Sequence, residues 1–124
     1  LWEEMENGLI LANLIDFDMV YGHRNDVSGF ARALEVFDAW LPQLFDRMKP
    51  GDLLLISADH GCDPTTKGSD HTREYVPILA FAPEMGEEVD LGARTTFADA
   101  GATLAEFFGL SALAVGRSFL SALE

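Results

Sequence analysis

Two kinds of apolar pattern alternate along the chain. Leu9 to Phe17 (LILANLIDF) is a nearly continuous apolar run ending in acidic residues, which predicts a strand buried on both faces, as in a parallel sheet. A loop rich in Gly, His, Asn and Asp follows from Tyr21 to Val27. From Ser28 the period changes. Phe30, Leu34, Phe37, Leu41, Leu44 and Met48 recur at three- and four-residue steps, so the spacing predicts a helix. Either Asp26 or Ser28 caps its start, Lys49-Pro50-Gly51 ends it, and Pro42 should kink it or split it in two.

Leu53 to Ser57 (LLLIS) predicts a second buried strand. Strand, crossover helix and strand form a βαβ unit, whose two strands run parallel. The segment Ala58 to Tyr75 is polar and loop-like, and Val76 to Phe81 (VPILAF) predicts a third strand, with Pro77 at its start or edge. Pro83 to Arg94 is an acidic, glycine-containing loop. Thr96 opens a second helix with Asp99 as its capping-box partner, Gly109 as its stop, and Phe97, Ala100, Leu104 and Phe107 as its apolar stripe. The tail from Ser111 to Glu124 follows neither period. The expected architecture is α/β: a partial, mostly parallel sheet with flanking helices, residues 1–124 forming one unit.

Composition changes this picture in three ways. With 124 residues, 48% hydrophobic and 10% aromatic, the chain holds the apolar material of one domain and is not disordered. Eight basic residues against 21 acidic ones give a net charge of −13, which argues against nucleic acid or an anionic membrane as partner. Such a chain binds phosphate only through a local cation or a bound metal. The single cysteine, Cys62, makes no internal disulfide, and the stretch Gly8 to Ile15 is far too short to span a bilayer. The start Leu1-Trp2-Glu3-Glu4 has no basic signal-peptide region and no initiator methionine. A soluble, cytoplasmic chain that begins partway through a longer protein is the expectation.

Candidate chemistry concentrates on the three histidines. His23, His60 and His71 each lie in a loop beside acidic residues. Asp16 and Asp18 end the first predicted strand with His23 just after; Asp59 and His60 end the second; His71 folds back from the loop that follows. The carboxyl ends of parallel strands share one edge, where open α/β folds bind ligands. Mixed carboxylate and imidazole ligands suit Mn²⁺, Zn²⁺, Co²⁺ or Fe²⁺ rather than Ca²⁺, and this number of them suits a pair of ions. One Asp–His pair is more commonly a hydrogen-bonded loop pair than a ligand set. Three such features on one edge, using every histidine, favour the metal. Asp16 is the weaker carboxylate, Asp63, Asp70 and Glu74 read as solvated or supporting acids, and Arg73 as an ion-pair partner of Glu74 or Asp70. Cys62 lacks the surroundings of a nucleophile, and Thr65 and Thr66 read as loop formers.

The run Asp59-His60-Gly61-Cys62-Asp63-Pro64-Thr65-Thr66, continued by Gly68-Ser69-Asp70-His71-Thr72-Arg73-Glu74-Tyr75-Val76-Pro77, closely resembles the phosphopentomutases. So do Asp16 to Arg24 (DFDMVYGHR) and the segment Leu91-Gly92 to Asp99. The DHG with a downstream DHT is shared across the alkaline-phosphatase-like superfamily, including cofactor-independent phosphoglycerate mutases. The resemblance implies the C-terminal part of an alkaline-phosphatase-like core that holds two Mn²⁺ ions. It implies interconversion of (deoxy)ribose 1-phosphate and 5-phosphate, a pentose phosphate substrate, through a phosphorylated threonine. Asp18, His23 and His71 then resemble the ligands of one ion, Asp59 and His60 those of the other. The family's nucleophilic threonine, a further metal-binding aspartate and the cap domain have no counterpart in these residues. The chain alone is therefore expected to be inactive, and to pair with itself or with a missing N-terminal segment. The alternatives are another enzyme of the superfamily, or a non-catalytic metal-binding or interaction module.

Overall fold

The computed structural model describes residues 4–123. A π-helical segment, Phe17–Gly22, leads through a short turn into helix α1, Val27–Phe45. Strands β1 (Leu54–Ser57) and β2 (Ile78–Phe81) follow, then helix α2 (Ala98–Phe107) and a 3₁₀ turn at Leu120–Ala122. No helix among the described residues is long and apolar enough to cross a membrane.

The sheet differs from expectation. β1 and β2 pair antiparallel, Leu54 opposite Phe81 and Ser57 opposite Ile78, and they form a two-stranded sheet. The run from Leu9 forms no strand; Leu11 is 90% exposed and Leu9 59%. A strand apolar on both faces gains from burial only between layers that cover both sides. The described residues build just two short strands, and neither is a parallel partner for it. The expected βαβ unit is therefore replaced by α1 and an antiparallel pair.

Helix α1 follows its local code closely. Of the two possible caps, Asp26 takes the role: its carboxylate accepts the Gly29 N–H at 2.8 Å. Pro42 does not split the helix, which runs unbroken past it to Phe45. Phe45 meets Phe81 of β2 with ring centroids 4.4 Å apart, and Phe17 packs edge-on against Phe30 at 5.3 Å. These two contacts tie α1 to the sheet on one side and to the π-helical segment on the other.

The buried apolar core comprises Met48, Ala102, Ala105, Phe119 and Leu123. Gly109 stops α2 as expected: at φ +65° it lets the Leu110 N–H reach back to the Ala105 carbonyl at 2.8 Å. Asp99 is no capping-box partner. Its carboxylate accepts from Arg94 Nε at 2.7 Å and from the Arg117 N–H at 2.8 Å, which fastens the tail to α2. The buried side of α2 carries Asp99, Ala102, Thr103 and Ala105, whereas Phe97 is 62% exposed. Small side chains admit the tail backbone closely and are the most buried, while Ala100, Leu104 and Phe107 of the predicted stripe are half-buried and Phe97 lies outside. The unassigned tail supplies Phe119, which is 3% exposed and completes this core.

Candidate metal centre

Two backbone devices bring the acid and imidazole groups together. The first is the π-helical winding itself. Its bonds run from residue i to i+5, and the His23 N–H reaches the Asp18 carbonyl at 2.9 Å. Residues five apart then stand side by side, so Asp18 Oδ2 lies 3.4 Å from His23 Nε2. An α-helix would pair residues three or four apart instead. The Asp–His spacing of five was the available signal in the sequence, and a strand ending at Phe17 would have hidden it.

The second device is an antiparallel bridge between Gly61 and Thr72 that closes the loop leaving β1. Thr72 donates its N–H to the Gly61 carbonyl at 3.0 Å, and its hydroxyl accepts the Asp63 N–H at 2.7 Å. The bridge sets His60 and His71 beside one another, their rings stacked with centroids 3.7 Å apart. Glycine is required at position 61. A Cβ there would stand 2.6 Å from the Thr72 carbonyl oxygen and 2.8 Å from the Glu74 nitrogen. Gly22 is constrained in the same way: a Cβ would meet the Cys62 sulfur, so the π-helical segment lies directly against the loop.

The result is a convergence on one carboxylate. Asp18 Oδ1 lies 3.4 Å from His71 Nε2 and 3.9 Å from His60 Nε2, and one donor atom from each of the three lies within 4.8 Å of the others. Two ligands about 2.1 Å from a shared ion, at right or tetrahedral angles, stand roughly 3.0–3.4 Å apart. The 3.4 Å between Asp18 Oδ1 and His71 Nε2 suits that edge, and His60 Nε2 at 3.9 Å stands farther out. His23 closes the group from the other carboxylate oxygen, with its ring 5.0 Å from that of His71.

The proton inventory supports a cation here. His23 Nδ1 faces the Ser69 carbonyl and His60 Nδ1 faces the Gly61 carbonyl at 3.1 Å. A carbonyl only accepts, so Nδ1 is the donor in each contact and Nε2 is the atom left to face Asp18. Backbone carbonyls that fix the tautomer this way are typical of metal-bound histidines. Asp18 Oδ1 is itself buried and has no hydrogen-bond partner. A buried carboxylate oxygen without a hydrogen-bond donor is costly unless a positive charge stands beside it.

The remaining expected residues fall into place around this group. Asp59 stands at the rim, its side chain 87% exposed, with Oδ1 3.7 Å from His60 Nε2. Asp16 is exposed at the start of the π-helical segment and gives it no side-chain cap. Asp63 accepts from the Thr65 hydroxyl at 2.7 Å, the Thr65 N–H at 2.8 Å and the Thr66 hydroxyl at 3.2 Å. These bonds, the Thr65 hydroxyl foremost, hold its carboxyl below the ordinary range. Thr65 and Thr66 are thus loop formers. Among the described residues Arg73 pairs with neither Glu74 nor Asp70. Burial, and then the charge of Asp18, push the Cys62 thiol upward, which disfavours the thiolate.

The Metalloenzyme superfamily model matches residues 1–112. The chain belongs to the Metalloenzyme superfamily. Within this superfamily it is 59% identical over 121 residues to the phosphopentomutase of Anaeromyxobacter sp. (strain K), covering 98% of this chain and 31% of that protein. It is 56% identical over 121 residues to the phosphopentomutase of Caldanaerobacter subterraneus subsp. tengcongensis, with the same coverage of both chains. The phosphopentomutase of Desulfitobacterium hafniense (strain DSM 10664 / DCB-2) is 53% identical over 120 residues, 97% of this chain and 31% of its own. The chain therefore spans about a third of the length of these curated relatives.

Proposed function

We propose that this chain carries most of the dimetal site of a phosphopentomutase, which interconverts (deoxy)ribose 1-phosphate and (deoxy)ribose 5-phosphate. The observation that carries the metal reading is the buried, unpartnered Asp18 oxygen facing the Nε2 atoms of His60 and His71. The sugar-phosphate reading rests on the similarity to named phosphopentomutases across nearly the whole chain. Asp18, His23 and His71 hold one ion, and Asp59 and His60 contribute to the other. Mn²⁺ suits this mixture of carboxylate and imidazole.

When bound, such ions neutralise and orient phosphoryl oxygens. The chain's own residues supply the rest. Asp18 presents two oxygens to opposite sides of the cluster, and the stacked rings of His60 and His71 hold its inner oxygen away from water. The carbonyls of Ser69 and Gly61 hold the rings of His23 and His60 with Nε2 turned toward Asp18. No threonine here has the surroundings of a phosphoryl-accepting nucleophile, so the isolated chain is inactive, and the complete enzyme is cytoplasmic.

The test uses calorimetry and turnover together. The chain should bind Mn²⁺, and His71→Ala should weaken binding by about 10- to 100-fold, as loss of a ligand or its support does. The full-length protein with Mn²⁺ should convert ribose 5-phosphate to the 1-phosphate, and the isolated chain should not. Equal Mn²⁺ affinity in His71→Ala would overturn the metal assignment. A full-length protein that turned over phosphoglycerate but no pentose phosphate would place the chain in a different superfamily enzyme.

A further inference from the structure

We propose that Asn25 is a positioning residue for the metal centre: it fastens the loop that bears His71 to the segment that bears Asp18 and His23. The inference rests on the metal reading above and adds a residue to it that contributes no ligand atom. Asn25 lies just past His23, at the turn between the π-helical segment and α1. Its φ of +51° makes it the one non-glycine in the left-handed region among the described residues. Asparagine tolerates that conformation far better than most side chains.

The backbone conformation aims the amide across the molecule. Asn25 Nδ2 donates to the Thr66 carbonyl at 2.8 Å and to the Pro64 carbonyl at 3.2 Å, about forty residues away in sequence. Both donors of one side-chain amide are thereby used on one loop. Asp63 braces the same turn from within through Thr65 and Thr66. Farther along, the loop passes Gly68 at φ +113° and reaches Ser69, whose carbonyl faces His23 Nδ1, and then His71. Two ties therefore join the same pair of segments, one from Asn25 and one from His23. His23 is itself a candidate ligand and cannot hold the loop independently of the site.

A carboxylate in place of the amide would face two carbonyl oxygens with no proton to donate. Asn25→Asp therefore keeps the shape and the tolerance of positive φ but turns both bonds repulsive. Asn25→Gly keeps the backbone and removes the bonds. In the full-length protein each variant should bind Mn²⁺ about tenfold more weakly, the scale of losing an outer support of a metal ligand. The melting temperature of the metal-free protein should fall modestly with the two lost bonds, and kcat should return when Mn²⁺ is raised to saturation. Asn25→Asp and Asn25→Gly binding Mn²⁺ as the parent does, while His71→Ala does not, would overturn the positioning role and leave the metal reading intact. A fall in metal-free melting temperature with unaltered Mn²⁺ affinity would also overturn it, as a purely structural role. If His71→Ala too binds normally, the metal reading fails and the inference with it.

Discussion

Replacing Gly61 by alanine tests whether the loop bridge builds the metal centre. The new Cβ would stand 2.6 Å from the Thr72 carbonyl oxygen and 2.8 Å from the Glu74 nitrogen, where ordinary contact begins at 3.4 Å. Both obstacles are backbone, so no side chain can swing aside. The strands of the bridge must part by most of an ångström, and the 3.0 Å bond from the Thr72 N–H to the Gly61 carbonyl opens with them. Overpacking of this kind costs about 1–3 kcal/mol, and the lost hydrogen bond about 1 kcal/mol more. His60 and His71 flank the bridge directly, and their rings are only 3.7 Å apart. The displacement therefore passes to both imidazoles. Gly61→Ala should lower unfolding free energy by about 2–4 kcal/mol in urea denaturation and weaken Mn²⁺ binding at least tenfold in calorimetry. Gly86→Ala is the control: a Cβ there meets nothing within 4 Å, and both measurements should stay near the parent's. Gly61→Ala with parental stability and parental Mn²⁺ affinity would refute the role given to the bridge.

Three further outcomes are expected elsewhere in the chain. Thr103 is fully buried, donates to the Asp99 carbonyl at 2.8 Å and accepts the Phe119 N–H at 3.1 Å. Thr103→Val should therefore cost about 1–3 kcal/mol by leaving a buried N–H unpaired, measured by denaturant titration; a neutral result would mean the tail does not dock. The Arg117 N–H, followed by the Arg94 guanidinium, holds the Asp99 carboxyl below its ordinary range. A depressed carboxylate stabilises above its unfolded pKa and loses that contribution as pH falls through the folded one, so acid should loosen the tail below about pH 4. Asp99→Asn should flatten this acid limb in a pH series of melting curves. Because burial and nearby carboxylates raise the Cys62 thiol, alkylation by iodoacetamide at neutral pH should be slower than for a free cysteine peptide. Faster labelling would show an activated thiol.

Local chemistry made much of the chain legible without coordinates. The helical period and an acidic cap marked α1, hydrophobic runs marked β1 and β2, and Gly109 marked the end of α2, because caps, turns and periods act within a few residues. The pairing of acids with histidines was visible in the same way. Three features needed the tertiary structure. The sense of the sheet depends on which strands are present to pair, and the apolar run at Leu9 finds no partner among β1 and β2. Inward-facing residues on α2 were set by Arg94, Arg117 and Phe119, which reach it from outside the helix. The convergence of three imidazoles on Asp18 arises from i+5 winding and from the close approach of Gly22 and Gly61 to distant backbone and sulfur. Sequence determined which groups could hold a cation. Only the packing of two glycines and one π-helical turn decided that they meet, because distances between residues forty positions apart are set by contacts, not by spacing.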